Sequence, residues 1–209
     1  MIVPTVLAKD ISKFEEDLRR VEGFARKVQM DIVDGKFIPF ETVTPEVLLT
    51  VETPAEIEAH LMVEDPAEWV KRCVAAGITA VYGQVEKMPN VADFIAKAEE
   101  AGMRTGLAYE LTTPLGGLEE WVNLVDGVLL MSVEVGAQGQ AFDQKVLERI
   151  KKVRDLSPTV VIMIDGGLNE DNIKKCLRVG GEKMEFAVGS QILTASDPED
   201  CYRRLEEIE

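Results

Sequence analysis

The chain carries two carboxylates and its only histidine at the ends of short apolar runs. Gln29 and Asp31 are two residues apart in a run typical of a strand, so both side chains point to the same face. Asp165 follows a purely apolar run, and His60 stands near the end of a third. A buried carboxylate is costly unless it is paired, hydrogen-bonded or bound to a metal. Taken singly, each residue is also typical of an ordinary turn or core, but together they indicate a polar site.

Three segments that contain glycine indicate a phosphate site. Residues 136–140, 166–167 and 189–190 each follow a predicted strand. Glycines let the backbone approach an anion, and a serine hydroxyl adds a hydrogen-bond donor. The alternative, that these are close-packed turns, is weaker because three adjacent loops share the feature. The residues predicted to bind the phosphate-bearing ligand through these loops are Gly136, Gly139, Gly166, Gly167, Gly189 and Ser190.

The elements that position these residues form one alternating pattern of short β-branched runs and amphipathic stretches. Eight such units with short connections predict an α/β fold, a single (β/α)₈ TIM barrel over residues 1–209. In such a barrel the functional residues lie at the C-terminal ends of the strands. The predicted strands are 2–7, 26–33, 55–61, 80–84, 105–109, 127–131, 160–164 and 186–188. The predicted helices are 12–21, 45–51, 66–76, 90–101, 115–122, 144–154, 172–179 and 197–208.

Glycines mark the ends of three predicted helices. Gly77, Gly102 and Gly180 follow amphipathic stretches, where a left-handed residue is expected. The alternative fold is an open doubly wound sheet. It lacks support because no G-x-G-x-x-G segment follows the first strand.

Composition excludes several classes of partner. The formal net charge is −15, which argues against nucleic acid and against an anionic membrane surface. A small anionic ligand remains open, because backbone N–H groups bind phosphate without net positive charge. The sequence has no apolar run long enough to span a bilayer, and the N-terminus has no basic segment typical of a signal peptide. Three widely spaced cysteines are typical of reduced thiols, so we expect a cytoplasmic protein. A homo-oligomer remains open.

Motifs along nearly the whole chain resemble the ribulose-phosphate 3-epimerase family. Residues 28–39 (VQMDIVDGKFIP) resemble its H-x-D-x-M-D-G-x-F-x-P segment, and residues 59–66 (AHLMVEDP) resemble D-x-H-L-M-V-x-x-P. Residues 131–142 (MSVEVGAQGQAF) are similar to M-T-V-x-P-G-F-G-G-Q-x-F. The last two motifs of the family are matched by residues 164–167 and 188–190. The resemblance implies an enzyme that interconverts phosphoketose epimers through an enediolate.

The resemblance also implies roles for particular residues. Asp31 and Asp165 would be the acid and base, and with His60 they would bind one divalent metal. The family's second metal histidine corresponds to Gln29, and its strand-four histidine to Gln84. The positions expected to bind substrate beside the glycine loops are Thr5, His60, Met62 and Met131.

The replacement at Gln29 bears on the metal. A carboxamide is a weaker ligand than imidazole, and zinc prefers nitrogen and sulfur. We therefore expect a weakly held Mn²⁺ or Mg²⁺ rather than Zn²⁺, or no metal, with a phosphorylated sugar as substrate. Two alternatives stay open. One is a metal-independent sugar-phosphate lyase or decarboxylase on the same frame, although strand three carries no D-x-K-x-x-D, the pattern of the related sugar-phosphate decarboxylases. The other is a non-catalytic phosphosugar-binding barrel.

Overall fold

The computed structural model describes residues 1–135 and 141–208. Eight parallel strands pair in chain order, and the last strand returns to the first to close a barrel. The strands are β1 (Ile2–Val6), β2 (Lys27–Val33), β3 (Glu56–Met62), β4 (Ala80–Gln84), β5 (Arg104–Tyr109), β6 (Gly127–Met131), β7 (Val161–Asp165) and β8 (Met184–Val188). This confirms the predicted (β/α)₈ barrel, with strand bounds within two residues of those expected.

Helices cover the outside of the barrel. The α-helices are α1 (Ile11–Val21), α2 (Val70–Ala75), α3 (Val91–Glu100), α4 (Leu118–Trp121), α5 (Lys145–Leu156), α6 (Glu170–Gly180), α7 (Ser190–Leu193) and α8 (Pro198–Glu206). The 3₁₀-helices are Pro45–Leu49, Pro66–Trp69 and Val85–Lys87. None of the helices in the described ranges is long and apolar enough to cross a membrane.

Some helix predictions were wrong in type or extent. Residues 45–51 form only the 3₁₀-helix Pro45–Leu49, and the β-branched Thr50 turns its hydroxyl back to a main-chain carbonyl. The predicted helix 66–76 begins with a 3₁₀ turn. The predicted helix 115–122 shrinks to α4, because Gly117 at its start has a φ of 84°.

One predicted helix end is shifted by a residue. Gly77 and Gly102 have positive φ angles of 79° and 70°, as expected of residues that end helices. Gly180, in contrast, belongs to α6, and Gly181 takes the left-handed conformation with a φ of 73°. Gly180 instead lets the side chain of Met184 pack closely against the helix.

The core has two parts, which follow from the alternation of side chains along each strand. Residues such as Met30 and Ile32 face outward against the helices, where most of the apolar core lies. A smaller apolar cluster inside the barrel contains Val3, Leu129 and Met163. Inward-facing polar residues occupy both ends of the interior.

At the N-terminal end of the interior, a buried lysine contacts two glutamates. The Nζ atom of Lys27 lies 2.9 Å from Glu58 and 2.6 Å from Glu185, and all three side chains are largely or fully buried. Burial raises the pKa of Glu58 to about 7, although the ammonium group of Lys27 opposes the shift. We call Lys27, Glu58 and Glu185 the plug. Because its two carboxylates share one cation, the plug carries an excess of negative charge when both are ionised.

Candidate active site

A cavity of about 560 Å³ opens at the C-terminal ends of the strands. It is lined by Thr5 at the end of β1, Asp31 in β2 and Asp165 at the end of β7. The predicted site residues that also line it are Met62, Met131, Gly166, Gly167, Gly189 and Ser190. Ligand sites of TIM barrels lie at this end, because the βα loops and strand ends converge there.

Asp31 is held by hydrogen bonds on both carboxylate oxygens. Thr5 Oγ1 donates to Oδ2 over 2.6 Å, and Gln29 Nε2 donates to Oδ1 over 3.2 Å. The main chain of Asp31 is fixed as well, since Thr42 Oγ1 donates to its carbonyl oxygen. The strand pairing places Thr5 beside Gln29 and Asp31 beside His60.

His60 faces the two carboxylates with its Nδ1 atom. Nδ1 lies 3.5 Å from Asp31 Oδ1 and 3.4 Å from Asp165 Oδ2, and the imidazole is fully buried. Burial opposes a charge on the ring, but the contacts with Asp165 and Asp31 outweigh it and raise the pKa of His60 to about 9. Burial likewise raises the pKa of Asp165, against the opposing effect of His60.

Asp165 is positioned by the neighbouring strand. The carbonyl oxygen of Asp165 accepts hydrogen bonds from the main-chain N–H of Ser132 over 2.7 Å and from its hydroxyl over 3.0 Å. Ser132 directly follows β6, so it ties the end of β7 to its neighbour. This fixes the point at which the Asp165 side chain enters the cavity.

The donor set fits a small divalent cation. Oxygens of Asp31 and Asp165 and a ring nitrogen of His60 lie within 4.8 Å of one another. Among the described residues His60 Nδ1 has no well-aligned hydrogen-bond partner, and a cation bound between the carboxylates would take the place of its proton. Gln29 turns its amide N–H group towards Asp31, and its buried Oε1 has no hydrogen-bond partner in the part of the chain that the structure describes. In this geometry Gln29 orients Asp31, a candidate metal ligand, through a hydrogen bond and does not itself act as a ligand.

The glycine loop that follows β7 takes a backbone conformation that favours glycine. Gly166 and Gly167 have φ angles of 106° and 57°, immediately after Asp165. A Cβ atom at Gly166 would collide with the side chain of Val133. The predicted contributions of Gly136 and Gly139 lie outside the described residues.

The model of the ribulose-phosphate 3-epimerase family matches residues 1–193. The chain belongs to this family. It is 33% identical to the ribulose-phosphate 3-epimerase of Aquifex aeolicus, covering 100% of this chain and 96% of that protein. The epimerase of Bacillus subtilis is 28% identical, with 94% of this chain and 93% of the relative covered.

Solved structures that resemble this epimerase-family barrel share its fold. KGPDC from Streptococcus mutans has a TM-score of 0.73 and 14% identity, with 99% of this chain and 95% of that chain covered. Orotidine 5′-monophosphate decarboxylase from Methanocaldococcus jannaschii has a TM-score of 0.66 and 12% identity, with 100% and 98% covered. At such low identity these similarities describe architecture and carry no function to this chain.

Several cavity residues of this family member were not found from the sequence. Leu7, Lys13, Ile38 and Phe40 also line the cavity. Lys13 belongs to α1, whose pattern gave no sign that one of its residues reaches the barrel mouth. Ile38 lies in the segment 28–39 that resembles the family motif, and Phe40 directly follows that segment, which was the available signal.

Proposed function

We propose that this protein is a ribulose-phosphate 3-epimerase. The observation that supports this most directly is the pair of carboxylates, Asp31 and Asp165, that lines one cavity, with the buried His60 Nδ1 within 3.5 Å of both. The full-length similarity to epimerases gives the substrate class, a ketopentose phosphate. The pair gives the chemistry, because inversion at a carbon next to a carbonyl needs a proton removed and a proton returned.

Each carboxyl group would serve one face of the substrate. One carboxylate removes the C3 proton of ribulose 5-phosphate, which leaves an enediolate, and the other carboxyl returns a proton to the opposite face. The reaction is reversible, so the two groups exchange the roles of acid and base with direction. Thr5 and Gln29 keep the Asp31 oxygens in place, and Ser132 does the same for the Asp165 main chain.

A divalent cation would be held by Asp31, His60 and Asp165. When bound, it would stabilise the negative charge of the enediolate oxygens. Two carboxylates and one imidazole form an oxygen-rich set, which favours Mn²⁺ or Mg²⁺. Asp31 would then be a ligand as well as a proton carrier, and Gln29 would fix its orientation.

The phosphate of the substrate would bind at the glycine loops. Gly166, Gly167, Gly189 and Ser190 line the same cavity as the carboxylates. Main-chain N–H groups can hold a phosphate there without a cluster of basic side chains, so the net charge of −15 is compatible with a phosphorylated substrate. The three buried, unpaired cysteines fit a reducing compartment, which supports a cytoplasmic location.

The test is conversion of ribulose 5-phosphate to its C3 epimer, in the presence of Mn²⁺ or Mg²⁺. Asp31→Asn and Asp165→Asn should each lower kcat by about 10²–10⁴-fold, the usual contribution of a general acid or base. Asp93→Asn is the matched control, because Asp93 lies on the outer helix α3 beside Lys97. Binding of the phosphosugar without turnover by the unaltered protein would identify a non-catalytic binding barrel instead.

A further inference from the structure

A line of buried hydrogen bonds leads away from the carboxylate pair on the far side of His60. His60 Nε2 lies 3.0 Å from the carboxamide of Gln84, the last residue of β4. The other end of that carboxamide lies 2.8 Å from Glu86 Oε2 and 3.2 Å from the Ala108 carbonyl oxygen. Glu86 is anchored in turn, since its Oε1 accepts a 2.8 Å hydrogen bond from the main-chain N–H of Glu110.

The carboxylate at the end of this line decides how the Gln84 amide is oriented. Glu86 Oε2 and the Ala108 carbonyl are both acceptors, so the Gln84 amide must turn its NH₂ group towards them. Its oxygen then faces His60 and can only accept a hydrogen bond. The opposite orientation would place the amide oxygen against two acceptors in a fully buried environment, where unmade hydrogen bonds are costly.

The orientation of Gln84 in turn fixes the imidazole. Because the Gln84 oxygen accepts, His60 Nε2 must carry a proton. In the neutral ring the lone pair then belongs to Nδ1, the nitrogen that faces Asp31 and Asp165. The same contacts restrain rotation of the ring, which has no solvent-exposed surface.

We propose that Gln84 and Glu86 are positioning residues that hold a proton on Nε2 of His60 and so present Nδ1 to the carboxylate pair, where a bound metal ion would replace the proton of Nδ1. Neither residue needs to touch substrate for this. A polar amide at this buried position is stabilising only while all its groups are paired, and the carboxylate of Glu86 supplies the pairing. The consequence for catalysis rests on the proposed epimerase function, whereas the orientation of the ring does not.

The single histidine makes a direct test possible, because every imidazole signal in an NMR spectrum comes from His60. The protein is labelled with ¹⁵N and freed of metal. Its His60 Nε2–H should give a resolved signal that exchanges slowly with water. Gln84→Leu should speed that exchange about tenfold, because the hydrogen bond that protects the Nε2–H proton is lost. Gln84→His should keep slow exchange at His60, since a neutral imidazole also has one donor and one acceptor; the signals of its two imidazoles are assigned by comparison with the unaltered protein.

A second pair of variants tests the role of Glu86 in holding the Gln84 amide and leaves Gln84, the residue that contacts His60, unaltered. Glu86→Leu leaves the Gln84 amide without its charged acceptor and should speed the Nε2–H exchange. Glu110→Ala is the matched control, because it removes a neighbouring carboxylate and keeps the main-chain N–H that holds Glu86. It should leave the exchange unchanged. These variants remain informative if Gln84→Leu fails to fold.

A functional readout separates positioning from mere packing. Mn²⁺ alone, titrated and followed by electron paramagnetic resonance, should bind Gln84→Leu about 10–100-fold more weakly than the unaltered protein. Gln84→His should restore the affinity. Unchanged Nε2–H exchange in both folded Gln84→Leu and Glu86→Leu would overturn the proposal. Because this exchange needs neither metal nor substrate, a failed epimerase assay with the expected exchange behaviour would reject the proposed function and leave the positioning role intact.

Discussion

Gln29 donates its amide N–H to Oδ1 of Asp31, the same oxygen that lies 3.5 Å from His60 Nδ1. The glutamine therefore supports a candidate metal ligand and keeps its own oxygen away from the carboxylate. Without this amide N–H, Asp31 Oδ1 would lose the hydrogen bond that orients it.

Replacing Gln29 with histidine should strengthen metal binding. An imidazole at this position adds a nitrogen ligand to the two carboxylates and His60, and we expect Mn²⁺ affinity to rise by about tenfold or more. Isothermal titration of both proteins with MnCl₂ measures the change, and Gln29→Leu controls for loss of the amide. Tightly held stoichiometric zinc in the unaltered protein, found by elemental analysis after dialysis against a chelator, would show that Gln29 does not weaken the site.

Thr5→Val should impair catalysis without unfolding the barrel. Valine has nearly the shape of threonine but cannot donate the 2.6 Å hydrogen bond to Asp31 Oδ2. We expect kcat to fall by about 10–100-fold, as for other supporting hydrogen bonds, with little change in KM. Thr5→Ser, which keeps the hydroxyl, should retain most of the activity. Equal activity of the valine and serine variants would show that the Thr5 hydroxyl does not contribute to catalysis.

Gly166→Ala should weaken phosphate binding and destabilise the fold. Its φ of 106° is unfavourable for alanine, and the new Cβ would collide with Val133. Gly102→Ala is the matched control, since Gly102 also has a positive φ but no atom within 4 Å of an added Cβ. We expect Gly102→Ala to cost about 1 kcal/mol and Gly166→Ala clearly more. Only Gly166→Ala should raise KM; an equal KM in the two variants would mean that the phosphate binds elsewhere.

The plug at the N-terminal end of the barrel should make stability depend on pH. The pKa of Glu58 is about 7 in the folded protein and near 4.5 when unfolded, so the folded state binds the proton more tightly. The stabilisation is present in full below pH 4.5 and is lost as pH rises to 7. Glu58→Gln cannot lose a proton, so its stability relative to the unaltered protein should increase from pH 5 to pH 8 by on the order of 1–3 kcal/mol. Chemical denaturation at the two pH values measures this; a difference that does not change with pH would contradict it.

The sequence predicted the barrel and the meeting of Asp31, His60 and Asp165. Side chains alternate along a strand, and the C-terminal ends of all strands lie at the same end of a parallel barrel, so both could be inferred from the pattern. It did not predict the plug, although Lys27 shares a face of β2 with Gln29 and Asp31, and that spacing was the available signal. The orientation of the Gln84 amide could not be predicted from the sequence. It depends on Glu86 and Ala108, whose approach is set by the packing of β4 against β5.

The most direct test of the proposed epimerase is proton exchange at C3 of ribulose 5-phosphate. The protein, supplied with Mn²⁺ or Mg²⁺, is incubated with the substrate in D₂O, quenched and freed of metal, and the mixture is followed by ¹H NMR. The two-carboxylate account predicts that the C3 epimer appears with deuterium at C3, and that Asp31→Asn and Asp165→Asn each slow its formation by about 10²–10⁴-fold. An unaltered protein that binds the sugar phosphate but leaves the C3 proton in place would contradict the account.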